Sequence, residues 1–385
     1  MRRTFVGLVV GGATLGALLY LATDASTQGI GGALPESAKA PANNPTTPAK
    51  VALGRLLFWD PVLSGPRDVA CATCHHPQFG YAENRDLSIG VTGVGLGHRR
   101  RFEAGGSIPL VKRNSQTILN VAFSGSDETG AYDPATAPMF WDVRVRSLEL
   151  QALEPLKALE EMRGRTYPED AAVETVVERL NAIPEYRRLF AAAFGEQAVT
   201  AETLGKALAA FQRSLTANDA PFDRHMRGER SAMTAAQVRG MRRFERVGCV
   251  NCHNGTMFSD YKLHVLGVPD NPVLPQSDAG AEERYAFRTA SLRNLAFTAP
   301  YMHNGLFATL EDVLDFYDDI DSRRGNDRNV NVSREQLDPL LRQLRGVDDD
   351  DEDLLAFLDA LNDESFDRAI PPRIPSGLTV GGKIR

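Results

Sequence analysis

The stretch CATCHHP, Cys71–Pro77, decides the fold because it opens with the first of two Cys-x-x-Cys-His motifs. The second motif is CVNCH, Cys249–His253, and the chain's four cysteines all fall in these two motifs. Two thiols at this spacing can bind a haem covalently, and the histidine that follows becomes an axial ligand of its iron. The pattern predicts two covalently bound c-type haems, one held by Cys71, Cys74 and His75 and one by Cys249, Cys252 and His253.

Two other interpretations of the cysteines stay open at this point, a zinc site and a pair of vicinal disulfides. A zinc site would need ligands from both motifs at once. A disulfide within each motif would leave the histidine after each cysteine pair without a purpose. Both interpretations explain less of the pattern than two haems do.

The N-terminus has the order of a secretory signal, with Arg2 and Arg3 before an apolar run from Phe5 to Ala22 and small residues up to Ala25. We interpret residues 1–25 as a signal peptide and expect a periplasmic protein, although an uncleaved membrane anchor fits the same run. A composition of 43% hydrophobic and 24% charged residues suits about two soluble domains. The net charge of −7 disfavours nucleic-acid binding.

Helical periodicity dominates the rest of the chain, and few stretches alternate in the manner of strands. The stretches KVALGRLLFWDPVLSG (50–65) and QVRGMRRFERV (237–247) each carry a glycine and an aromatic residue before a haem motif. Stretches 147–162, 168–183 and 199–215 also have helical spacing, the last with Thr200 as N-cap. The acidic run 348–353 is interpreted as a solvated loop before a helix, with a docking patch for a basic partner as the weaker alternative.

We therefore predict a mostly α-helical protein in which two cytochrome c-like haem domains pack together with long loops. Residues 26–48, rich in Gly, Ala, Pro, Asn and Thr, are interpreted as a linker or extended arm. The N-terminal domain is expected to span 49–225 and the C-terminal domain 226–385.

The first iron is expected to be open on its far side, as a catalytic haem requires. His76 is adjacent to the ligand His75 and cannot reach the opposite face of the same haem. No His or Met occurs between Pro77 and Gly97. His98 stays open as either a sixth ligand or a surface residue.

The sequence resembles the bacterial di-haem cytochrome c peroxidases and their relatives of the MauG type. The resemblance covers nearly everything after residue 48 and is carried by the order and spacing of its stretches together with both haem motifs. These stretches are KRNSQTILN (112–120), MFWDVRVRSLELQALEPL (139–156), EM (161–162), ALAAFQRSL (207–215) and FRTASLRNLAFTAPYMHNG (287–305).

The resemblance implies that Trp141 relays electrons between the haems and that Gln151, Pro155 and Glu161 line a pocket for hydrogen peroxide. Glu161 would be the acid/base catalyst, because splitting peroxide requires moving a proton from one oxygen to the other. A partly buried carboxyl can have its pKa raised toward neutrality for this proton transfer. Without the resemblance, Glu161 would be only an acid beside Glu160 at a helix end.

The resemblance also implies a calcium site between the haems. Asn114, Thr298 and Pro300 match its ligand positions, the last two through backbone carbonyls, and oxygen ligands suit calcium. Two positions depart from the family pattern. Val143 occupies the glycine position of the family's usual Trp-Asp-Gly-Arg sequence. Asn304 occupies the aspartate position of its usual His-Asp-Gly sequence.

The far-side ligand of the second haem separates the subclasses. The peroxidases have Met and the MauG type has Tyr at a position 17 residues after the calcium-site proline, which here is Tyr317. Met257 and Met302 are weaker substitutes outside the matching stretch, and a packing role in an amphipathic helix is the other interpretation of Tyr317. A phenolate lowers the haem potential and favours high-valent iron, whereas a thioether raises it.

We therefore expect a periplasmic enzyme that uses hydrogen peroxide to form high-valent haem iron and oxidises a partner protein, as the MauG type does. The first alternative is a cytochrome c peroxidase fed by a small cytochrome or cupredoxin. The second is a di-haem electron carrier without catalysis. The substrate protein is not identified, because Val247 occupies the position of MauG's surface relay tryptophan and Trp59 is interpreted as packing.

Overall fold

The computed structural model describes residues 29–105, 108–127, 129–195, 199–321, 328–347 and 351–385. The predicted signal peptide, 1–25, lies outside these ranges. Within them, no helix is both long and apolar enough to span a membrane.

Helices make up most of the regular structure, which confirms the prediction of a mostly α fold. The helices of the described residues are α1 Pro48–Phe58, α2 Cys71–Cys74, α3 Leu148–Gln151, α4 Glu154–Lys157, α5 Ala172–Ala182, α6 Pro184–Phe194, α7 Ala201–Ser214, α8 Pro221–Met226, α9 Ala235–Val247, α10 Leu310–Asp321 and α11 Glu352–Asp359. Short strands form three antiparallel pairs: β1 Gly93–Val94 with β2 Arg101–Phe102, β3 Pro138–Met139 with β4 Val145–Arg146, and β5 Leu263–His264 with β6 Phe287–Arg288.

The helix before the first haem motif, α1, packs closely on α7. A Cβ added to Gly54 would lie 2.1 Å from the carbonyl oxygen of Ala207, so only glycine allows the two backbones to approach this far. One turn later the rings of Phe58 and Phe211 meet with centroids 5.1 Å apart. Thr200 caps α7 as predicted.

The helix before the second motif, α9, repeats this arrangement against α11. A Cβ on Gly240 would lie 1.8 Å from the carbonyl oxygen of Asp353. The rings of Phe244 and Phe357 follow at 5.3 Å. Each haem motif is therefore preceded by the same device, a glycine and a phenylalanine four residues apart that lock the leading helix to a second helix.

Each helix pair packs into one of two hydrophobic clusters. Each cluster contains residues from both sides of the predicted domain boundary at residue 225. Phe222 of α8 belongs to the second cluster. Phe366 and Ile374 belong to the first cluster because the C-terminal tail returns to the N-terminal unit. There Gly381 donates its backbone N–H to the carbonyl of Trp59 at 2.8 Å.

Residues 29–47 form an extended arm that contacts both units. Ile30 pairs with Gly255 in a parallel bridge. Leu34 is buried against Phe123 and Met257, and its N–H donates to Asp223 Oδ1 at 2.8 Å. Of the two interpretations of segment 26–48, the arm is the one that the described residues support.

The stretch 147–162 is not one helix, contrary to the prediction. It divides into α3, α4 and a π-helical turn, Leu159–Arg163. Pro155 lies in the first turn of α4, where a residue without a backbone N–H is tolerated best. The same proline prevents α3 from continuing as one helix. Ala158 is extended and ends α4.

The described acids of the run 348–353 do more than face solvent. Asp351 caps α11 by accepting from Leu354 N, and its other oxygen accepts from Arg243 Nε at 2.6 Å. Asp353 pairs with Arg239. These acids therefore tie α11 to α9, beside the contact at Gly240.

Replacing Gly54 or Gly240 with Ala should lower the free energy of unfolding by about 1–3 kcal/mol, because the methyl group forces packed helices apart. Chemical denaturation of the holoprotein measures the effect. Gly32→Ala is the matched control, since its methyl group would meet no atom within 4 Å. Unchanged stability in both helix variants would show that the close contact is not required.

Candidate functional site

A cavity of about 760 Å³ runs along the motifs of both units. This volume is in the range of cofactor sites, and the cavity is mainly apolar. The residues that it shares with the two motifs include Cys71, Cys74, His75, Cys249, Cys252 and His253.

Both motif histidines are oriented as iron ligands require. His75 Nδ1 lies 3.1 Å from the carbonyl of Tyr81, and His253 Nδ1 lies 2.9 Å from the carbonyl of Phe258. Because a carbonyl can only accept, each Nδ1 carries the hydrogen and each Nε2 keeps its lone pair for a metal. Burial lowers the pKa of both rings, which keeps them neutral.

The two carbonyls are presented by residues in an uncommon backbone conformation. Tyr81 has φ of +57° and Phe258 has φ of +52°, and both side chains are fully buried. A bulky residue in the left-handed region is strained unless its surroundings hold it. Here the aromatic cores hold the two residues, so each histidine's orientation is set by the packing of its own unit.

The four cysteines form no disulfide with one another. Burial raises the pKa of Cys71 and of Cys249 to about 12. Within the described ranges no group of three or more His, Cys, Asp or Glu side chains could hold a metal ion. The geometry therefore supports neither the disulfide nor the zinc interpretation, while thiols beside a ligand histidine fit covalent haem.

Trp141, Gln151, Pro155 and Glu161 all line the same cavity as His75. The structure thus brings together the residues that the sequence predicts for the peroxide pocket. Their catalytic roles stay predictions.

The π-helical turn that carries Glu161 is clamped by two loops. Val91 N donates to Glu161 O at 3.1 Å, and Gly65 N donates to Met162 O at 2.7 Å. A Cβ on Gly90 would lie 2.1 Å from Glu160 O, and one on Gly65 would lie 1.9 Å from the carbonyl of the turn's last residue, Arg163. Both glycines allow a backbone approach that no other residue could make.

Glu161 is poised to exchange a proton near neutral pH. Burial raises its pKa to about 7, with a smaller opposing effect from the charge of Arg144 and a smaller raising effect from Glu160. A carboxyl with this pKa can both accept and donate a proton under working conditions.

Trp141 is bonded to segments that belong to both units. Its Nε1 donates to Asn114 O at 3.0 Å, next to Ser115, whose Oγ donates to Cys74 O at 2.9 Å. Its carbonyl accepts from Arg288 N at 2.7 Å, in the strand that pairs with β5 of the second unit. The position suits a relay between the two motifs.

The three residues of the predicted calcium site line the cavity in neighbouring loops. Asn114 N donates to His303 O at 2.7 Å, which joins its loop to the one that contains Thr298 and Pro300. Asn114 Nδ2 donates to the carbonyls of Arg85 and Asp86, which turns its Oδ1 away from them. The arrangement offers neutral oxygens, which calcium accepts.

Neither extra histidine of the first unit lies on the cavity wall. His76 is buried beside Trp59, with ring centroids 5.5 Å apart, and its Nδ1 accepts from Gln78 N. Trp59 is fully buried, so its predicted packing role is confirmed. His98 is exposed and borders a separate surface cleft of about 390 Å³, which favours the surface interpretation.

The candidate ligands of the second iron, Tyr317, Met257 and Met302, all border the cavity. Tyr317 lies in α10, as its spacing predicted, and packs against the second hydrophobic cluster. Burial and the neighbouring Cys252 and Cys249 raise the pKa of its phenol. Met257 instead packs with Leu34 of the arm.

Known proteins resemble this chain over most of its length. Residues 48–231 match the family described as di-haem cytochrome c peroxidase. The methylamine utilization protein MauG of Methylorubrum extorquens is 35% identical over 343 residues, 88% of this chain and 85% of that protein. The chain belongs to the di-haem cytochrome c peroxidase family.

Membership in this family confirms the two haems expected from the motifs and makes the protein a haem-dependent oxidoreductase. Cytochrome-c peroxidase IdrP1 of Pseudomonas sp. strain SCT is 34% identical, with 84% of this chain and 83% of that protein covered. A solved MauG-like protein associated with microbial copper homeostasis superimposes with a TM-score of 0.68 at 29% identity, covering 86% of this chain and 95% of that one. The identities of 35% and 34% do not separate MauG from peroxidase activity.

Both departures of this chain from the family pattern have a local setting. Val143 has φ of +56°, a conformation that glycine adopts freely and a β-branched residue does not. The adjoining Asp142 accepts from Arg113 at 2.6 Å, which helps to hold the turn. Asn304 is buried and donates to Pro269 O at 2.8 Å, so its amide fills a polar position without charge.

The sequence did not reveal that Gly65 and Gly90 hold the turn that carries Glu161. It also did not reveal that Arg288 holds the segments of Phe140 and Gln116. Arg288 is buried, and its guanidinium donates to Phe140 O at 2.9 Å and to Gln116 Oε1 at 3.1 Å. The arginine falls in a stretch that carried the family resemblance, which was the available signal. Gly65 and Gly90 had none, because close contact between distant loops leaves no local pattern.

Gly90→Ala should slow the reaction of the first haem with peroxide by about 100-fold, because the methyl group displaces the turn that carries Glu161 and small misplacements are costly. Stopped-flow absorbance with peroxide measures the rate, and the resting spectrum verifies that both haems are attached. Gly32→Ala serves again as the neutral control. A rate equal to that of the wild type would contradict the proposed clamp.

Proposed function

We propose that this protein is a MauG-type enzyme of the periplasm, which reacts with hydrogen peroxide at the first haem and withdraws electrons from a partner protein. The observation that carries the proposal is Tyr317 on the cavity wall, close to Cys249 and Cys252 of the second motif. A phenolate ligand is anionic and stabilises the oxidised forms of iron. Periplasmic location is inferred from the signal-like N-terminus and the two haem motifs.

The overall reaction consumes one hydrogen peroxide, two protons and two electrons and releases two waters. Haem iron supplies the binding of peroxide and the cleavage of its O–O bond. The carboxylate of Glu161 accepts a proton from one peroxide oxygen and returns it to the leaving oxygen. Gln151 can donate a hydrogen bond to peroxide, while Pro155 contributes an apolar wall without an N–H.

The two electrons come from the partner protein, and Trp141 is the group through which the two haem sites would exchange them. Its ring nitrogen is bonded to Asn114 of the first unit and its carbonyl to Arg288 of the second. We also infer a structural calcium ion at Asn114, Thr298 and Pro300, where it would hold the loops on both sides of Trp141. The surface at which the partner docks is left open, because Val247 is buried and is not aromatic.

The second candidate is a cytochrome c peroxidase that takes electrons from a small cytochrome or cupredoxin. The similarity to cytochrome-c peroxidase IdrP1 favours it, and Met302 on the cavity wall offers a thioether ligand. Family membership argues against the third alternative, an electron carrier without catalysis.

Tyr317→Phe tests the proposal. One equivalent of peroxide added to resting wild-type holoprotein should change the absorption of both haems, whereas in Tyr317→Phe only the first haem should respond, with both haems still attached. Absorption and electron paramagnetic resonance spectra distinguish the two. Tyr301→Phe, another tyrosine on the same wall, is the matched control.

The peroxidase alternative has the opposite outcome. In that case the wild-type second haem does not respond to peroxide alone, and reduced cytochrome c supports rapid turnover. Either result for the wild type would reject the MauG-type proposal.

Glu161→Gln should slow the peroxide reaction by about 10²- to 10⁴-fold, the usual contribution of a positioned acid/base group. Since the carboxylate is the form that accepts the proton, the wild-type rate should rise as pH increases through about 7, the pKa of Glu161. The glutamine variant should lose this pH dependence. Glu160→Gln is the control, and an unchanged pH profile in Glu161→Gln would remove Glu161 from the mechanism.

A further inference from the structure

A cluster of three ionisable side chains, two of them buried and the third, Asp338, partly buried, lies beside the second motif and has no part in the function described so far. His264 of β5 is held between two carboxylates. Its Nδ1 lies 2.7 Å from Asp338 Oδ2, and its Nε2 lies 3.1 Å from Asp260 Oδ2. We call Asp260, His264 and Asp338 the carboxylate–histidine cluster.

The hydrogen bonds determine the charge of this cluster. Carboxylates can only accept, so an imidazole that faces a carboxylate at each nitrogen must carry hydrogens on both and is an imidazolium. Burial alone would lower the pKa of His264, but the hydrogen bonds with Asp260 and Asp338 raise it above its ordinary value. One imidazolium between two carboxylates leaves a net charge of −1.

The cluster touches the group through which the second haem is attached. Asp260 N donates to Cys252 O at 2.8 Å, which joins the cluster to the second motif. His264 and Asp338 both line the cavity, as Tyr317 does. The negative charge therefore lies at the edge of the second haem site.

Further bonds hold each carboxylate in place, so the cluster cannot reorient to weaken its field. Thr289 Oγ1 donates to Asp260 Oδ1 at 2.7 Å. Asp338 Oδ1 accepts from Leu340 N at 2.8 Å, and Asp338 N donates to Val265 O at 2.9 Å. The nearby cation outside the cluster, Lys262, lies 4.0 Å from Asp260 with a largely exposed side chain, so water screens it.

The surroundings of the first motif are different. There the buried Glu83 contacts Cys74, and burial raises the pKa of Glu83 to about 7. Among the described residues, no histidine or second carboxylate is bonded to that carboxyl in the same way. The two haem sites thus have different fixed charges beside their attachment cysteines.

We propose that the carboxylate–histidine cluster lowers the reduction potential of the second haem selectively, because a fixed negative charge at low dielectric stabilises the more oxidised iron. Asp260 and Asp338 are thereby positioning residues that hold His264, and with it they act on the second haem as one charged cluster. The purpose of a low potential rests on the proposed function, since an enzyme that stores oxidising equivalents at the second haem needs a low potential there. The potential itself does not depend on that function.

The experiment is spectroelectrochemical titration of the holoprotein at pH 6, where the remaining carboxylate keeps His264 protonated. Asp338→Asn and Asp260→Asn should each shift the midpoint potential of the second haem upward and leave that of the first haem unchanged. Asp338→Glu retains the charge and should restore the wild-type potential. Asp353→Asn, which removes a surface carboxylate of the same unit, should shift neither haem.

An unchanged second-haem potential in both asparagine variants would overturn the inference, as would equal shifts at both haems. If one asparagine variant does not retain two haems per chain, the other asparagine variant is measured instead. Each of the two variants removes one carboxylate charge from the cluster. The proposed function fails separately, if peroxide leaves the wild-type second haem unchanged. A potential shift in Asp338→Asn together with that result would keep the inference and reject the MauG-type proposal.

Discussion

Two hydrogen bonds from histidine to backbone carbonyl are the constraint on which the rest of the structure depends. The carbonyls of Tyr81 and Phe258 hold Nδ1 of His75 and His253, so that each Nε2 is available to iron. Both carbonyls come from buried aromatic residues in the left-handed region. Holding that conformation requires a well-packed core in each unit, and the paired helices α1 with α7 and α9 with α11 supply it.

The two units share this framework and differ in what surrounds it. Beside the first motif, loops with Gly65 and Gly90 clamp a turn that presents Glu161, a group able to move protons near neutral pH. Beside the second motif, a histidine between two carboxylates presents fixed charge, and Tyr317 borders the cavity. The two proposals therefore place proton transfer at the first haem site and control of potential at the second, and Trp141 is bonded to segments of both units.

Much of this could be predicted from local patterns. The four cysteines and the histidines after them predicted both haem sites, and helical spacing predicted α1, α5, α7 and α9 because a helix with one buried face has a period that survives in the sequence. The prediction of a helix over 147–162 was wrong because it gave the helical spacing of apolar residues more weight than Pro155, which divides the segment. The return of Phe366 to the first core had no local signal, since nothing in a short tail specifies which distant surface it covers.

The sequence by itself determined the chemistry that is available: two sites for covalent haem, a histidine ligand for each, and a family pattern containing Glu161, Trp141 and Tyr317. Spacing along the chain carries that information because haem attachment and helix periodicity are local. Only the tertiary structure decided which groups act on those sites. Gly90 against the turn of Glu161, and Asp338 against His264, join residues 70 or more positions apart, and contacts of that kind arise from packing and leave no periodic trace in the sequence.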